Sequence, residues 1–280
     1  METEKIEEDK LKEFERFLKN EERSNATVEK YMRDVRRFSE FIGLSEVCKQ
    51  SVMEYKSKLV NSYAVTSANS MIAALNSFLR FCGRHDLCVK QFRVQRQAYC
   101  SEEKELTRAE YIRLLEAADR KHNERLNLII QTICGTGIRV SELQYITVEA
   151  LRKGEAVVNC KGKNRRIFIV SELKKKLLLY VREQKIASGS IFITRSGKPV
   201  SRNNIWKEMK SLCETAKVSP SKVFPHNLRH LFARTFYGIE KDIAKLADIL
   251  GHASINTTRI YIVTTGAEHR RKMEHMRLII

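Results

Sequence analysis

No apolar run in this 280-residue chain approaches the roughly 20 residues that a membrane-spanning helix needs. Its first stretch, Met1 to Lys12, is a charged mixture, so no signal peptide is expected. The seven cysteines are odd in number and irregularly spaced, which fits a reducing compartment better than a disulfide framework. The expected location is therefore the cytoplasm. A G-x-x-x-x-G-K-[ST] loop is missing, because Gly197-Lys198 is followed by Pro199 with the wrong spacing upstream. Missing too is an acidic cluster of the kind that holds two magnesium ions. Cys82-x-x-His85-x-x-Cys88 offers ligand-type residues, but no fourth ligand stands nearby, and structural zinc needs four. Internal repeats and low-complexity segments are also absent. These gaps argue against a membrane protein, a disulfide scaffold, a nucleotide hydrolase and a metalloprotein. No cofactor is expected.

What the chain has in excess is positive charge: 52 Lys and Arg against 34 Asp and Glu, a net charge of +18 and a pI near 9.7. An imbalance of that size predicts a polyanionic partner, with nucleic acid as the default.

Hydrophobic periodicity divides the chain. Residues 1–92 read as a helical unit with apolar stripes at Leu11/Phe14/Phe17/Leu18, Tyr31/Val35/Phe38/Ile42, Val52/Tyr55/Leu59 and Ile72/Leu75/Leu79/Cys82. Ser24 to Thr27 and Thr66 supply helix starts, and Gly43 and Gly83 supply stops. Four such helices make a compact bundle. Periodicity fails over residues 93–105, where Arg93-Val94-Gln95-Arg96-Gln97 reads as a basic linker. Thr107 and Glu110 form a capping box that opens a second domain over 106–280. There, one helix carries Ile112, Leu115 and Ala118, and a second carries Leu126, Ile129, Ile130 and Ile133. A hairpin follows, with Val157–Cys160 and Arg165–Val170 as strands and Lys161-Gly162-Lys163-Asn164 as its tip. Ser171 is expected to cap the next helix, Ile191–Thr194 to form a third strand, and Ser201 to cap a further helix. The expected fold class is mainly α with a small antiparallel β-sheet.

The densest chemistry lies between Val223 and Tyr261. Pro225 suits the first turn of a helix, and His226 and Arg229 then share a face near its N-terminus, where an anion is favoured. Ile243, Leu246, Ala247 and Leu250 form another helix that Gly251 stops, which leaves His252 just past its end. Tyr261 comes nine positions later, behind an N-cap at Ser254.

His226-x-x-Arg229, Leu250-Gly251-His252 and Tyr261, preceded by Thr136-Gly137-Ile138-Arg139-Val140-Ser141-Glu142-Leu143, resemble the signature of the tyrosine recombinases, the phage-integrase and Xer-type family. The resemblance is strong over 106–280 and holds in outline over 1–95. It implies an N-terminal core-binding domain and a C-terminal catalytic domain with a tail over 264–280. It implies a DNA phosphodiester as substrate, Tyr261 as nucleophile, and Arg139 and Arg229 as phosphate clamps. His226 would be the base, His252 a phosphate ligand, and Glu142 the acidic residue that supports the site. A lysine at a hairpin tip would be the general acid. Lys161 matches its position, and Lys163, one alternation away, competes with it.

The implied partners are double-stranded DNA recombination sites and further protomers, as a homotetramer on DNA or with a paired recombinase. An accessory directionality factor is left open, as is the choice between a housekeeping resolvase and a mobile-element integrase. The implied setting is the nucleoid. Lys30, Arg33, Arg36, Arg37, Arg80, Arg93, Arg96 and Lys163 are candidate phosphate contacts. Taken singly, each site residue has a plainer explanation: His230 as a core residue against the sheet, Arg139 as a helix-end charge pairing Glu142, Tyr261 as a core aromatic. Their order along one chain favours the catalytic reading. A type IB topoisomerase would usually carry lysine where His226 stands, and a non-catalytic regulator would be expected to have lost one of the catalytic residues.

If lysines and arginines lead the interface, DNA binding weakens steeply with salt. The slope of log K against log salt is about −0.9 per phosphate contacted. A fluorescence-anisotropy titration that is flat from low to moderate salt would contradict this.

Overall fold

The structure, a computed structural model, describes residues 8–43, 46–94, 104–160, 163–261 and 273–276. The chain divides into two compact units, Met1–Arg96 and Gln97–Ile280.

In the first unit four helices are described: α1 (Glu8–Asn20), α2 (Asn25–Ile42), α3 (Lys49–Ser62) and α4 (Val65–Phe81). Each buries one stripe at helical spacing. Leu11, Phe14 and Leu18 on α1 meet Val28, Met32 and Val35 of α2 and Phe78 of α4, while Phe38, Val52, Tyr55, Leu59, Ile72 and Leu75 fill the other half of the core. Ser24 caps α2 by accepting from the Thr27 N–H at 3.4 Å. Thr66 does not cap α4. Helical bonding already begins at the Ala64 carbonyl, which accepts from Ser67 and Ala68, so Thr66 falls inside the first turn.

Asn69 and Asn76 share a face of α4 and hold the segment that leaves the unit. The Asn76 amide donates to the Val89 carbonyl at 2.8 Å and accepts from the Val89 N–H at 3.0 Å. Asn69 pairs in the same way with Phe92, at 2.9 and 2.7 Å. Two side-chain amides thus do what a neighbouring strand would do for that backbone.

The second unit begins with α5 (Arg108–Arg120) and α6 (Glu124–Thr136). Thr107 and Glu110 cap α5 reciprocally at 3.1 and 2.8 Å. The inward residues of α5 are Leu114, Ala117 and Ala118, and Ile112 is exposed. A 3-10 turn (Val140–Tyr145) and α7 (Val148–Lys153) lead to β1 (Glu155–Cys160) and β2 (Lys163–Phe168). These strands pair antiparallel from Glu155↔Phe168 to Cys160↔Lys163. Lys163 and Asn164 therefore lie in the ladder, not in a four-residue tip, since each added pair satisfies backbone groups that a wider loop would leave to water.

Next come α8 (Ser171–Glu183), α9 (Arg202–Lys210), α10 (Cys213–Ala216), α11 (Pro225–Glu240), α12 (Ile243–Leu250) and α13 (Ile255–Arg259). Val170, not Ser171, occupies the N-cap of α8, and Ser201 caps α9 as expected. The expected third strand over Ile191–Thr194 is not formed. It makes an isolated bridge at Ile193, and the Ile191 N–H and Phe192 carbonyl bond to Ile146 and Val200, outside any ladder. Gly189 and Gly197, both at positive φ, turn the chain too soon on either side. The core of this unit gathers α5, α6, α8, α9 and the inner hairpin face of Ala156, Val158 and Ile167.

Replacing Asn76 with Leu leaves the Val89 N–H and carbonyl unpaired in a buried setting. The expected cost is about 1–3 kcal/mol, measured by urea unfolding. An unchanged midpoint would contradict the role assigned to that amide pair.

Candidate active site

Four segments converge in the second unit, and each is placed by a helix end. The first is the exit from α6. Gly137 adopts a left-handed φ of +64°, and a Cβ there would lie 2.5 Å from the Phe232 ring. This position demands glycine for conformation and for space. Ile138 is fully buried, and Arg139 then starts the 3-10 turn. Glu142, one turn on and only 5% exposed, reaches back to the Arg139 N–H at 3.0 Å and to its Nη1 at 2.8 Å. The same carboxylate accepts from Arg165 Nη2 of β2 at 2.5 Å.

The second segment is the start of α11, with Pro225 in its first turn. Arg229 projects from this turn into the protein at 1% exposure and is the largest fully buried side chain among the described residues. Its Nη1 donates to the Gly137 carbonyl, and its Nη2 donates to the Leu250 carbonyl at 2.6 Å and to His252 Nε2 at 3.0 Å. These carbonyls end α6 and α12, where the helix dipole is negative. Among the described residues, then, this charge is held by carbonyls and an imidazole rather than by a carboxylate. Burial, with Arg139 close by, pulls the Arg229 pKa down to about 10, which still leaves it charged at neutral pH. Among the described residues its buried Nε–H meets no acceptor, so the guanidinium has hydrogen-bonding capacity to offer an anion.

The third segment is the end of α12, where Gly251 takes a left-handed φ. Three successive carbonyls there each receive one guanidinium: Ile249 from Arg165 at 2.9 Å, Leu250 from Arg229, and Gly251 from Arg139 at 3.2 Å. Arg139 and Arg229 are thereby brought to one helix terminus. Because arginine only donates, His252 Nε2 is the acceptor of the Arg229 contact, and Nδ1 carries the proton bonded to Thr258 Oγ1 at 2.8 Å. Burial and the surrounding guanidiniums push the His252 pKa down to about 4.

The fourth segment is α13, capped by Ser254, and the Tyr261 that follows it. Tyr261 is 6% exposed, and its hydroxyl lies 3.2 Å from His226 Nε2. Desolvation and the charges of Arg229, Arg139 and Arg202 hold the His226 pKa below its ordinary value. The imidazole is neutral at pH 7, and its tautomer with the proton on Nδ1 accepts the phenol's hydrogen bond at Nε2. His230 stacks on the Tyr261 ring with centroids 4.2 Å apart and meets the edge of His226 at 4.9 Å. It packs on the phenol and not against the sheet, as the sequence had suggested, because the i,i+4 spacing keeps it on the face of His226. Desolvation, with His226 and Arg229 nearby, takes its pKa to about 4.

Arg139, Glu142, His226, Arg229, His252 and Tyr261 are thus brought together, and Arg165, His230 and Thr258 join them. Arg165 carried a signal in the sequence: it alternates with Ile167 on the inward side of β2 and with Ile169 just beyond the strand, an unusual place for a charge. Lys161 and Arg96 lie outside the described residues, as does the side chain of Lys163. Of the other candidate phosphate contacts, Lys30 is tied down within its own unit by Asp34 at 2.5 Å and the Ser70 carbonyl at 3.3 Å. Arg33, Arg36, Arg37, Arg80 and Arg93 are exposed, with Arg36 meeting Glu8 at 3.4 Å. In the tail, Met273 and Met276 are described and exposed.

A buried phenol held against a neutral imidazole, beside guanidiniums, is the arrangement that a nucleophile for an anionic substrate needs. The descriptions "Phage integrase family" and "Phage integrase, N-terminal SAM-like domain" match residues 104–267 and 11–85, and the chain belongs to this family of tyrosine recombinases. It is 30% identical to Tyrosine recombinase XerA of Thermococcus kodakarensis over 279 residues, covering 96% of this chain and 95% of that protein. Among solved structures it is similar to a lambda integrase(75-356) dimer bound to a COC′ core site, with TM-score 0.74, 17% identity, and coverage of 92% of this chain and 95% of that one. It is also similar to a lambda integrase tetramer bound to a Holliday junction, with TM-score 0.73, 17% identity, and coverage of 90% and 76%. At these identities the structural likeness is one of fold. Among the described residues, no helix is long and apolar enough to cross a membrane.

The depressed histidines make stability depend on pH. An unfolded histidine titrates near 6.5, so the unfolded chain takes up protons before folded His230 and His252 do. Their contribution is complete above about pH 6.5 and is lost as pH falls through about 4. Thermal unfolding measured against pH should show this acid-side drop, and His230→Phe should flatten it. An unaltered profile in that variant would count against the assignment.

Proposed function

We infer that this protein cuts and rejoins DNA at specific sites through a covalent bond between Tyr261 and a 3′-phosphate. The observation that carries the reading is the Tyr261 hydroxyl 3.2 Å from His226 Nε2, beside a helix terminus that holds two phosphate-seeking guanidiniums. A free phenol has a pKa near 10 and needs a base to become a nucleophile at neutral pH. His226, neutral and in contact, takes its proton as the phenolic oxygen attacks phosphorus. The bond from phosphorus to the 5′-oxygen breaks, and that oxygen takes a proton from the hairpin lysine, Lys161 or its competitor Lys163. Arg139 and Arg229 hold the non-bridging oxygens as charge builds on them.

His252 enters by exchange. A phosphate that draws Arg229 frees Nε2, and the added negative charge raises the imidazole's pKa so that it can donate in turn. Because the phosphotyrosine keeps the energy of the broken bond, a 5′-hydroxyl from another strand can displace Tyr261 and reseal the DNA. Exchange in pairs through a Holliday junction calls for four protomers, in keeping with the lambda integrase tetramer of similar fold. Arg33, Arg36, Arg37, Arg80, Arg93 and Arg96 would bind backbone phosphates, and Lys30 contributes less because Asp34 holds it. The setting that fits this activity is the nucleoid, with accessory factors for direction a further step of the same proposal.

The test begins with fragmented, nicked genomic DNA from the source organism. Adducts that survive denaturation are captured and sequenced to find the preferred duplex. A site-dependent adduct that Tyr261→Phe abolishes is expected, with His226→Ala lowering its rate by about 10²- to 10⁴-fold. Adducts without site preference would favour a topoisomerase, and none at all a DNA-binding regulator.

A further inference from the structure

Glu142 carries one negative charge and shares it between two guanidiniums. Oε1 accepts from Arg139 Nη1 at 2.8 Å, and Oε2 accepts from Arg165 Nη2 at 2.5 Å. The carboxylate is 5% exposed and Arg165 11%, against 37% for Arg139. One member of the triplet thus opens outward while the other two are enclosed. The second arm of each guanidinium rests on the end of α12, Arg165 on the Ile249 carbonyl and Arg139 on that of Gly251. Gly251 accommodates the Arg165 stem: a Cβ there would lie 2.6 Å from Arg165 Cδ and 3.1 Å from its Nε. Arg165 is therefore fixed at both arms and along its chain, and it sits two positions past Lys163 on the hairpin.

Charge arithmetic gives this geometry a function. Arg139, Arg165 and Glu142 together sum to +1, and that excess is available at the exposed member. With Arg165 gone, the carboxylate would face Arg139 alone and the sum would fall to zero. An incoming phosphate would then meet a guanidinium already neutralised by an enclosed partner, where screening by water is weak. We propose that Arg165 is a positioning residue that acts through Glu142, drawing off part of that carboxylate's charge so that Arg139 keeps a net positive charge for the scissile phosphate. The proposal rests on the phosphotyrosyl chemistry above. It goes beyond a structural ion pair, because it makes the charge of Glu142 harmful once Arg165 is absent.

That consequence supplies the experiment. Adduct formation is timed on the duplex recovered by the selection above, with wild type, Arg165→Met, Glu142→Gln, the double variant and Arg165→Lys. DNA affinity and thermal unfolding are followed in parallel. Arg165→Met should cleave about 10- to 100-fold more slowly, with little loss of DNA affinity because the side chain is enclosed. The double variant, with Arg139 again the single uncompensated charge, should recover at least about fivefold over Arg165→Met. Arg165→Lys keeps the charge but not the two-armed contact, and should cleave faster than Arg165→Met. It is also the variant to rely on if the methionine chain fails to fold. A merely structural pair predicts the reverse ordering, with the double variant as slow as Arg165→Met or slower. That result, or an Arg165→Met protein at wild-type rate, overturns the proposal. If wild type gives no Tyr261-dependent adduct, it is the underlying reading that fails.

Discussion

The last turn of α12 offers three successive carbonyls, at Ile249, Leu250 and Gly251, and each accepts from a different arginine. A helix C-terminus concentrates partial negative charge on carbonyls that have no helical partner. Three guanidiniums placed there satisfy those carbonyls. The arrangement differs from three ion pairs: carbonyl dipoles hold the cations in place while neutralising little of their charge. One carboxylate, Glu142, serves two of the three arginines, so the cluster stays positive. Burial, with that residual charge added to it, depresses the nearby histidines and keeps His226 neutral against the phenol, and the charge suits the site to a phosphodiester.

Much of this was legible in the sequence, for identifiable reasons. Helices with a clear apolar period and a side-chain cap, such as α2 and α9, fall where their patterns place them, since burying one stripe dominates their energetics. The site residues could be read because they sit at chain punctuation. Pro225, Gly137 and Gly251 mark the starts and stops that aim His226, Arg139 and His252.

The failures share a cause as well. Thr66 and Ser171 are competent caps, but neighbouring backbone decided where each helix begins. Ile191–Thr194 has strand composition, yet flanking glycines turn the chain before a ladder can form. Arg165 and His230 were missed as site residues because their partners, Glu142 and Tyr261, are 23 and 31 positions away; the strand pattern marks Arg165 as an inward charge but does not say which residue it meets.

Hanging three arginines on one helix end also has a mechanical side. Sliding or unwinding the final turn of α12 by a fraction of an ångström would lengthen all three guanidinium contacts together. The same displacement would carry His252, the next residue along, away from Arg229. Any force on the chain beyond Gly251, from DNA or from a neighbouring subunit, would therefore act on the site as a common-mode input. Catalytic competence would rise and fall as a unit, with no stage at which half of the clamp is assembled.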